Sequence, residues 1–112
     1  MPLINVKTSY PQIANSDKLL KELSAELANL TGKPEKYVMC LLQTDVPMTF
    51  GGTENPSCYV EIKSIGALRP SQMTQSFSNL IQENTGIPTN RIYISFEDIS
   101  PTNWGFNGQT FG

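Results

Sequence analysis

TGKPEKYVMCLL at 31–42 comes back as TGIPTNRIYISF at 85–96, and this repeat constrains the fold more than any other feature of the chain. Both copies read Thr-Gly-x-Pro, then a few polar residues, then an apolar-rich run. The same offset of 54 residues sets Leu19 against Met73, Leu23 against Phe77 and Leu27 against Ile81. Within each copy these residues lie at i, i+4 and i+8, the spacing that lays one apolar stripe along a helix. Further back, LINV at 3–6 aligns with SCYV at 57–60, two β-leaning segments. A repeat of such long period marks one supersecondary unit used twice.

Each unit reads strand, helix, strand. In the first, residues 2–9 form the strand. Asn15 or Ser16 caps the helix, with Asp17 in its positive first turn. Gly32 supplies the left-handed residue that ends the helix near Thr31, and Pro34 blocks its continuation. Residues 38–44 return as a strand. The second unit places a strand over 58–65, a helix that opens at Pro70 and ends at Gly86 and Pro88, and a last strand over 92–97. A β-α-β crossover makes its two strands parallel and right-handed. The expected fold is therefore α/β, a single domain over 1–112 with pseudo-repeats at about 2–45 and 57–98 and a tail at 99–112. Its four strands build one mixed sheet with both helices on one face.

YVMCLL at 37–42 is apolar at both alternating sets of positions, as in a strand buried on both faces. Helices on one face cover only half of such a sheet, so self-association is predicted. MTFGGTENP at 48–56 reads as a turn-rich connection, its Gly-Gly pair lacking the G-x-x-x-x-G-K-[ST] spacing of a phosphate loop. The tail SPTNWGFNGQTFG holds the only tryptophan and is too apolar for disorder. It either closes over a neighbouring subunit or lines a pocket.

Only 16% of residues are charged and the net charge is −2, so no basic surface favours nucleic acid or anionic lipid. No apolar stretch approaches the roughly 18 residues that cross a membrane. A basic segment followed by an apolar one, the mark of a signal peptide, is also missing. Histidine is absent, which removes the commonest general base and the commonest metal ligand together. No metal and no cofactor are expected. Cys40 and Cys58 are not spaced C-x-x-C and read as reduced thiols in the core.

One feature of MPLINV carries chemistry. Pro2 suits the first residue of a strand, since proline lacks an N–H and fixes φ. If Met1 is trimmed, however, Pro2 becomes the N-terminus and its nitrogen a secondary amine, a base that no internal proline offers. The opening MP is followed, in order, by TGKPEKYV at 31–38, FGG at 50–52, SIG at 64–66, NRIYISFED at 90–98 and NWGFNGQTF in the tail. This ordered set, running nearly end to end, resembles the macrophage migration inhibitory factor family of the tautomerase superfamily.

The resemblance implies two β-α-β units per subunit and a homotrimeric ring whose sheets face a central channel. It also implies a catalytic Pro2, after loss of Met1, in a pocket between adjacent subunits. Lys33 matches the lysine for the substrate carboxylate, and Ile65 the residue whose backbone N–H binds the same ligand. Tyr93 matches a pocket tyrosine from the neighbouring subunit, Tyr37 a rim aromatic and Phe111 the penultimate phenylalanine of the wall. Ser95 stands where the better-known animal members carry asparagine, and Trp104 before Phe106 replaces their valine then tryptophan, so the pocket stays aromatic in an altered shape. Their C-x-x-C falls on Ser57 and Val60, so thiol–disulfide oxidoreductase activity is expected to be absent. Taken alone, Lys33 reads as a cation near a helix C-terminus, and Tyr93, Ile65 and Phe111 as packing residues.

The function so implied is keto–enol tautomerisation of phenylpyruvate-like aromatic α-keto acids. Pro2 acts as base and acid, with no cofactor. An unperturbed α-amine has a pKa of about 8, a prolyl amine one somewhat higher; an apolar pocket and a nearby Lys33 ammonium both lower it. The alternative is a cytokine-like extracellular protein with a receptor. The expected location is cytoplasmic; signal-peptide-independent export, which the animal members use, stays open.

Overall fold

The computed structural model describes residues 1–112. Strand β1 (Pro2–Thr8) leads through helix α1 (Ser16–Thr31) to β2 (Met39–Gln43), and β3 (Cys58–Ser64) leads through α2 (Pro70–Thr85) to β4 (Ile92–Asp98). A short hairpin, β5 (Gly105–Phe106) and β6 (Gln109–Thr110), ends the chain. The main sheet has the order β2-β1-β3-β4. The pairs β1–β2 and β3–β4 are parallel, as each crossover requires, and β1 meets β3 antiparallel at the centre. The sheet is thus four-stranded and mixed, with both helices on one face.

Thr-Gly-x-Pro recurs for a physical reason. The Thr31 hydroxyl donates to Leu27 O at 2.6 Å and accepts the Lys33 N–H at 3.4 Å. Thr85 does the same, donating to Ile81 O at 2.7 Å and accepting the Ile87 N–H at 3.1 Å. Each glycine then takes a left-handed conformation, φ 70° at Gly32 and 77° at Gly86, and sends its N–H back to the last turn of its helix. Each proline opens a 3-10 turn, closed by Tyr37 N–H to Pro34 O at 3.0 Å and by Arg91 N–H to Pro88 O at 2.9 Å. At the other end of α1, the Asn15 side chain accepts the Lys18 N–H at 3.1 Å, so Asn15 rather than Ser16 is the cap.

The predicted helix stripes are the buried ones. Leu19, Leu23 and Leu27 of α1 and Met73, Phe77 and Ile81 of α2 are fully buried against Ile4, Val6, Val60 and Ile62 of the central strands. Burying each such side chain contributes roughly 1.5–3 kcal/mol. Cys58 joins this core, and Cys40 packs at its margin.

Strand ends differ from the sequence reading, each for a local reason. β1 stops at Thr8, whose hydroxyl accepts the Tyr10 N–H at 3.2 Å and turns the chain. β2 starts at Met39, because the Val38 N–H is held by Glu35 O at 3.0 Å inside the 3-10 turn; it ends at Gln43, ahead of a left-handed Asp45. β3 stops at Ser64 rather than Ile65. Gly66 turns the chain with φ 69° and gives its N–H to the Asp98 carboxylate at 3.0 Å. Asp98 in turn pairs with Ser64, which carries β4 one residue past Glu97.

The face of the sheet away from the helices is uncovered in the protomer. Cys40 and Leu42 pack toward the core, whereas Met39 and Leu41 are 57% and 38% exposed. The double-sided apolar pattern of YVMCLL is therefore not matched by double-sided burial within one chain, which has no second layer to supply it.

Candidate active site

The parallel strands β1 and β2 begin side by side, with Leu3 opposite Met39. Tyr37 and Val38, fed in by the 3-10 turn, reach the same end of the sheet. The tail arrives there too, held by the Phe111 N–H on Trp104 O at 3.1 Å. Asn107 and Gly108, both at positive φ, form the tight turn between β5 and β6 and fold Phe106 and Phe111 against each other. The result is a cavity of about 240 Å³ walled by Met1, Pro2, Tyr37, Met39, Trp104, Phe106 and Phe111, among others. Phe106 and Phe111 stack at 5.9 Å between ring centroids, and Tyr37 meets Phe106 edge-on at 5.8 Å. Within the protomer the tail lines a pocket. Larger hollows beside Asp45 and between α1 and α2 have no such aromatic wall.

The terminal amine, that of Met1, lies at this cavity. Burial, and then the nearby Lys33 ammonium, pull its pKa below the ordinary value of 8.0. Lys33 itself is half-buried and has no carboxylate partner, since the protomer's ion pairs are Lys18–Glu22 and Lys63–Glu97. Pro2 is buried and pairs with Ser64, so Ile65 follows directly beside it. In the antiparallel ladder the next bonded pair after Leu3 and Lys63 would join Ile65 to Met1. No such bond forms, and the Ile65 N–H is left without a backbone partner.

Tyr93 and Ser95 are not brought to Pro2 within the protomer. Tyr93 pairs with Tyr59 and through it with Lys7, at the far end of β1 and two strands away. At about 3.3 Å per residue and 4.8 Å per strand, that is roughly 19 Å from Pro2, and Ser95 is roughly 14 Å away. Both project from the uncovered face. Tyr93 is 66% exposed, packs on Phe50 at 4.7 Å, and lines an apolar slot with Phe50, Met48 and Tyr59. The Ser95 hydroxyl bonds the Tyr59 hydroxyl at 2.8 Å. Sequence reasoning misses Tyr59, although its two-residue alternation with Ser57 and Glu61 puts it on this face. Arg91 lies outside the pocket. It clamps the preceding loop, donating to Pro56 O at 2.9 Å, Asn55 O at 2.8 Å and Phe50 O at 3.2 Å.

The sequence profile of the family described as macrophage migration inhibitory factor (MIF) matches residues 1–112. The chain belongs to this family. It is 37% identical to a macrophage migration inhibitory factor homolog from Brugia malayi, with 100% of each chain covered. It is 36% identical to macrophage migration inhibitory factor from Xenopus tropicalis, with 99% of each chain covered. A solved structure of a MIF homologue from Prochlorococcus marinus superposes with a TM-score of 0.94 at 54% identity, covering 98% of this chain and 99% of that one. The MIF fold inferred from the repeat and the resemblance is thus the fold observed. No helix is long and apolar enough to cross a membrane.

Proposed function

We propose that the protein is a cofactor-free keto–enol tautomerase of small aromatic α-keto acids such as phenylpyruvate. The observation that carries this reading is the aromatic cavity at the N-terminus, where burial and Lys33 lower the pKa of the Met1 amine next to Pro2. In the mature enzyme Met1 is removed and the amine is that of Pro2, one residue deeper in the same surroundings. Its free base takes a proton from the carbon next to the keto group, and the resulting prolinium returns it to oxygen, so atoms balance without a co-reactant. Lys33 pairs with the substrate carboxylate, stabilises the developing enolate and favours the neutral amine. The unpaired Ile65 N–H is a second donor for the carboxylate. Tyr37, Phe106 and Phe111 receive the ring.

Tyr93 and Ser95 join this site from a neighbouring subunit of a homotrimer. The uncovered sheet face, with Met39 and Leu41 exposed, supports that assembly. The test is phenylpyruvate tautomerisation by trimmed protein, beside a form that retains Met1 and beside Pro2→Gly. With Met1 attached, Pro2 is a tertiary amide without a basic nitrogen, so activity is expected only in the trimmed wild type. Equal turnover by the Met1-retaining form would overturn the proposal.

A cytokine-like role is the second reading, supported by curated relatives named macrophage migration inhibitory factor in Xenopus tropicalis and Rattus norvegicus. It gains if trimmed protein fails on aromatic keto acids yet binds a cell-surface receptor.

A further inference from the structure

The carboxylate and the ring of a phenylpyruvate-like substrate account for Lys33 and for the aromatic wall, but not for a second cation on that wall. Lys36 lines the cavity, and no aspartate or glutamate does. Its ammonium lies 5.1 Å from the centroid of Tyr37, the ring that meets Phe106 edge-on. It therefore rests on an aromatic face, which holds a cation in place without cancelling its charge. No carboxylate lies within ion-pair distance of it. That of the adjacent Glu35 accepts the Ser24 hydroxyl at 2.9 Å instead. The two cations thus differ in place: Lys33, which is not among the residues lining the cavity, is near enough to lower the pKa of the Met1 amine, whereas Lys36 lines the cavity beside Tyr37.

We infer that Lys36 is a specificity-determining residue that favours aromatic α-keto acids bearing a second anionic group on the ring. The inference rests on the tautomerase reading of the same site and names its substrate class. With a singly charged substrate, two unneutralised ammonium groups share one carboxylate. A dianion of the 4-carboxyphenylpyruvate type satisfies both, the keto-acid carboxylate at Lys33 and the ring carboxylate at Lys36. Because Lys36 is exposed, water screens the added pairing, and the preference is modest, about fivefold at most.

The experiment compares kcat/KM for phenylpyruvate and 4-carboxyphenylpyruvate in trimmed native protein, Lys36→Gln, Lys36→Arg and Lys21→Gln. Lys21→Gln removes an equal charge from an exposed position on α1, outside the cavity. The dicarboxylate is expected to be preferred about three- to fivefold by native protein, Lys36→Arg and Lys21→Gln, with the ratio falling to about one in Lys36→Gln. About 0.5 M salt should erase the preference. Direct binding supplies a readout apart from turnover. Trp104 is the only tryptophan and lines the cavity, so its fluorescence reports benzoate against benzene-1,4-dicarboxylate. Turnover of phenylpyruvate with no preference for the dicarboxylate, or a preference that survives in Lys36→Gln, overturns the role of Lys36 and leaves the tautomerase reading standing. If neither keto acid is turned over, both fall.

Discussion

Replacing Arg91 by alanine is expected to lower stability by about 3 kcal/mol, although the residue touches neither the cavity nor the core. Its guanidinium donates to the carbonyls of Pro56, Asn55 and Phe50 at 2.9, 2.8 and 3.2 Å, and lies 5.2 Å from the Phe50 ring centroid. A hydrogen bond from a charged donor contributes about 1.5–3 kcal/mol, but these carbonyls lie near the surface and can turn to water once freed. Taking the part-buried bonds to Pro56 and Phe50 at about 1 kcal/mol each, the exposed one to Asn55 at less, and the cation–π contact at about 0.5 gives the total. An Arg91→Lys variant keeps the charge, but its single ammonium nitrogen cannot reach all three carbonyls as the three guanidinium nitrogens do, so about 2 kcal/mol should be lost there. Urea denaturation at fixed protein concentration measures both. Hydrogen exchange at Phe50 and Thr53, whose N–H groups bond each other's carbonyls at 3.0 and 3.1 Å, shows whether the loop is what loosens. An alanine variant within about 0.5 kcal/mol of native, or a lysine variant equal to native, would refute the clamp.

Backbone strain and thiol chemistry give two more tests. Gly86→Ala should cost about 1–2 kcal/mol, because φ is 77° and nothing lies near the new Cβ, so only the conformation resists. Gly105→Ala, with ordinary φ and a nearest atom at 3.9 Å, should cost almost nothing; equal losses in a urea titration would contradict the assignment. Burial pushes the Cys58 thiol up to about 12 and Cys40 up to about 11 from an ordinary 9.0. Above about pH 9 the unfolded thiols lose protons that the folded ones keep, so stability falls as pH rises through that range. Cys58→Ala should flatten the fall seen in denaturation midpoints between about pH 8 and 10.5. A slope unchanged by the substitution would show that Cys58 does not titrate as its burial requires.

What the sequence revealed, and what it hid, follows from the range of the interactions concerned. The helix stripes Leu19-Leu23-Leu27 and Met73-Phe77-Ile81 and the Thr-Gly-x-Pro stops are set within a few residues, and they are legible. Strand ends depend on distant partners, such as Asp98 holding the Gly66 N–H across 32 positions, and there the reading slips by a residue. The Asn107-Gly108 hairpin signal is present in the tail but does not say where the hairpin docks. Lys36 looks like any surface lysine, because only the fold lays it over Tyr37. The separation of Tyr93 and Ser95 from Pro2 is a matter of strand order, which no local pattern encodes.

The central claim is that the Pro2 nitrogen is a base at neutral pH. The most direct measurement is an NMR titration of trimmed protein carrying 15N-labelled proline, following the Pro2 nitrogen from about pH 4 to 10. The account predicts a midpoint clearly below the value of about 8 for an unperturbed α-amine, rising toward it in Lys33→Gln as the neighbouring cation is lost. A midpoint at or above about 8, unmoved by Lys33→Gln, would mean that the amine is protonated at neutral pH and that Pro2 is only the first residue of a strand.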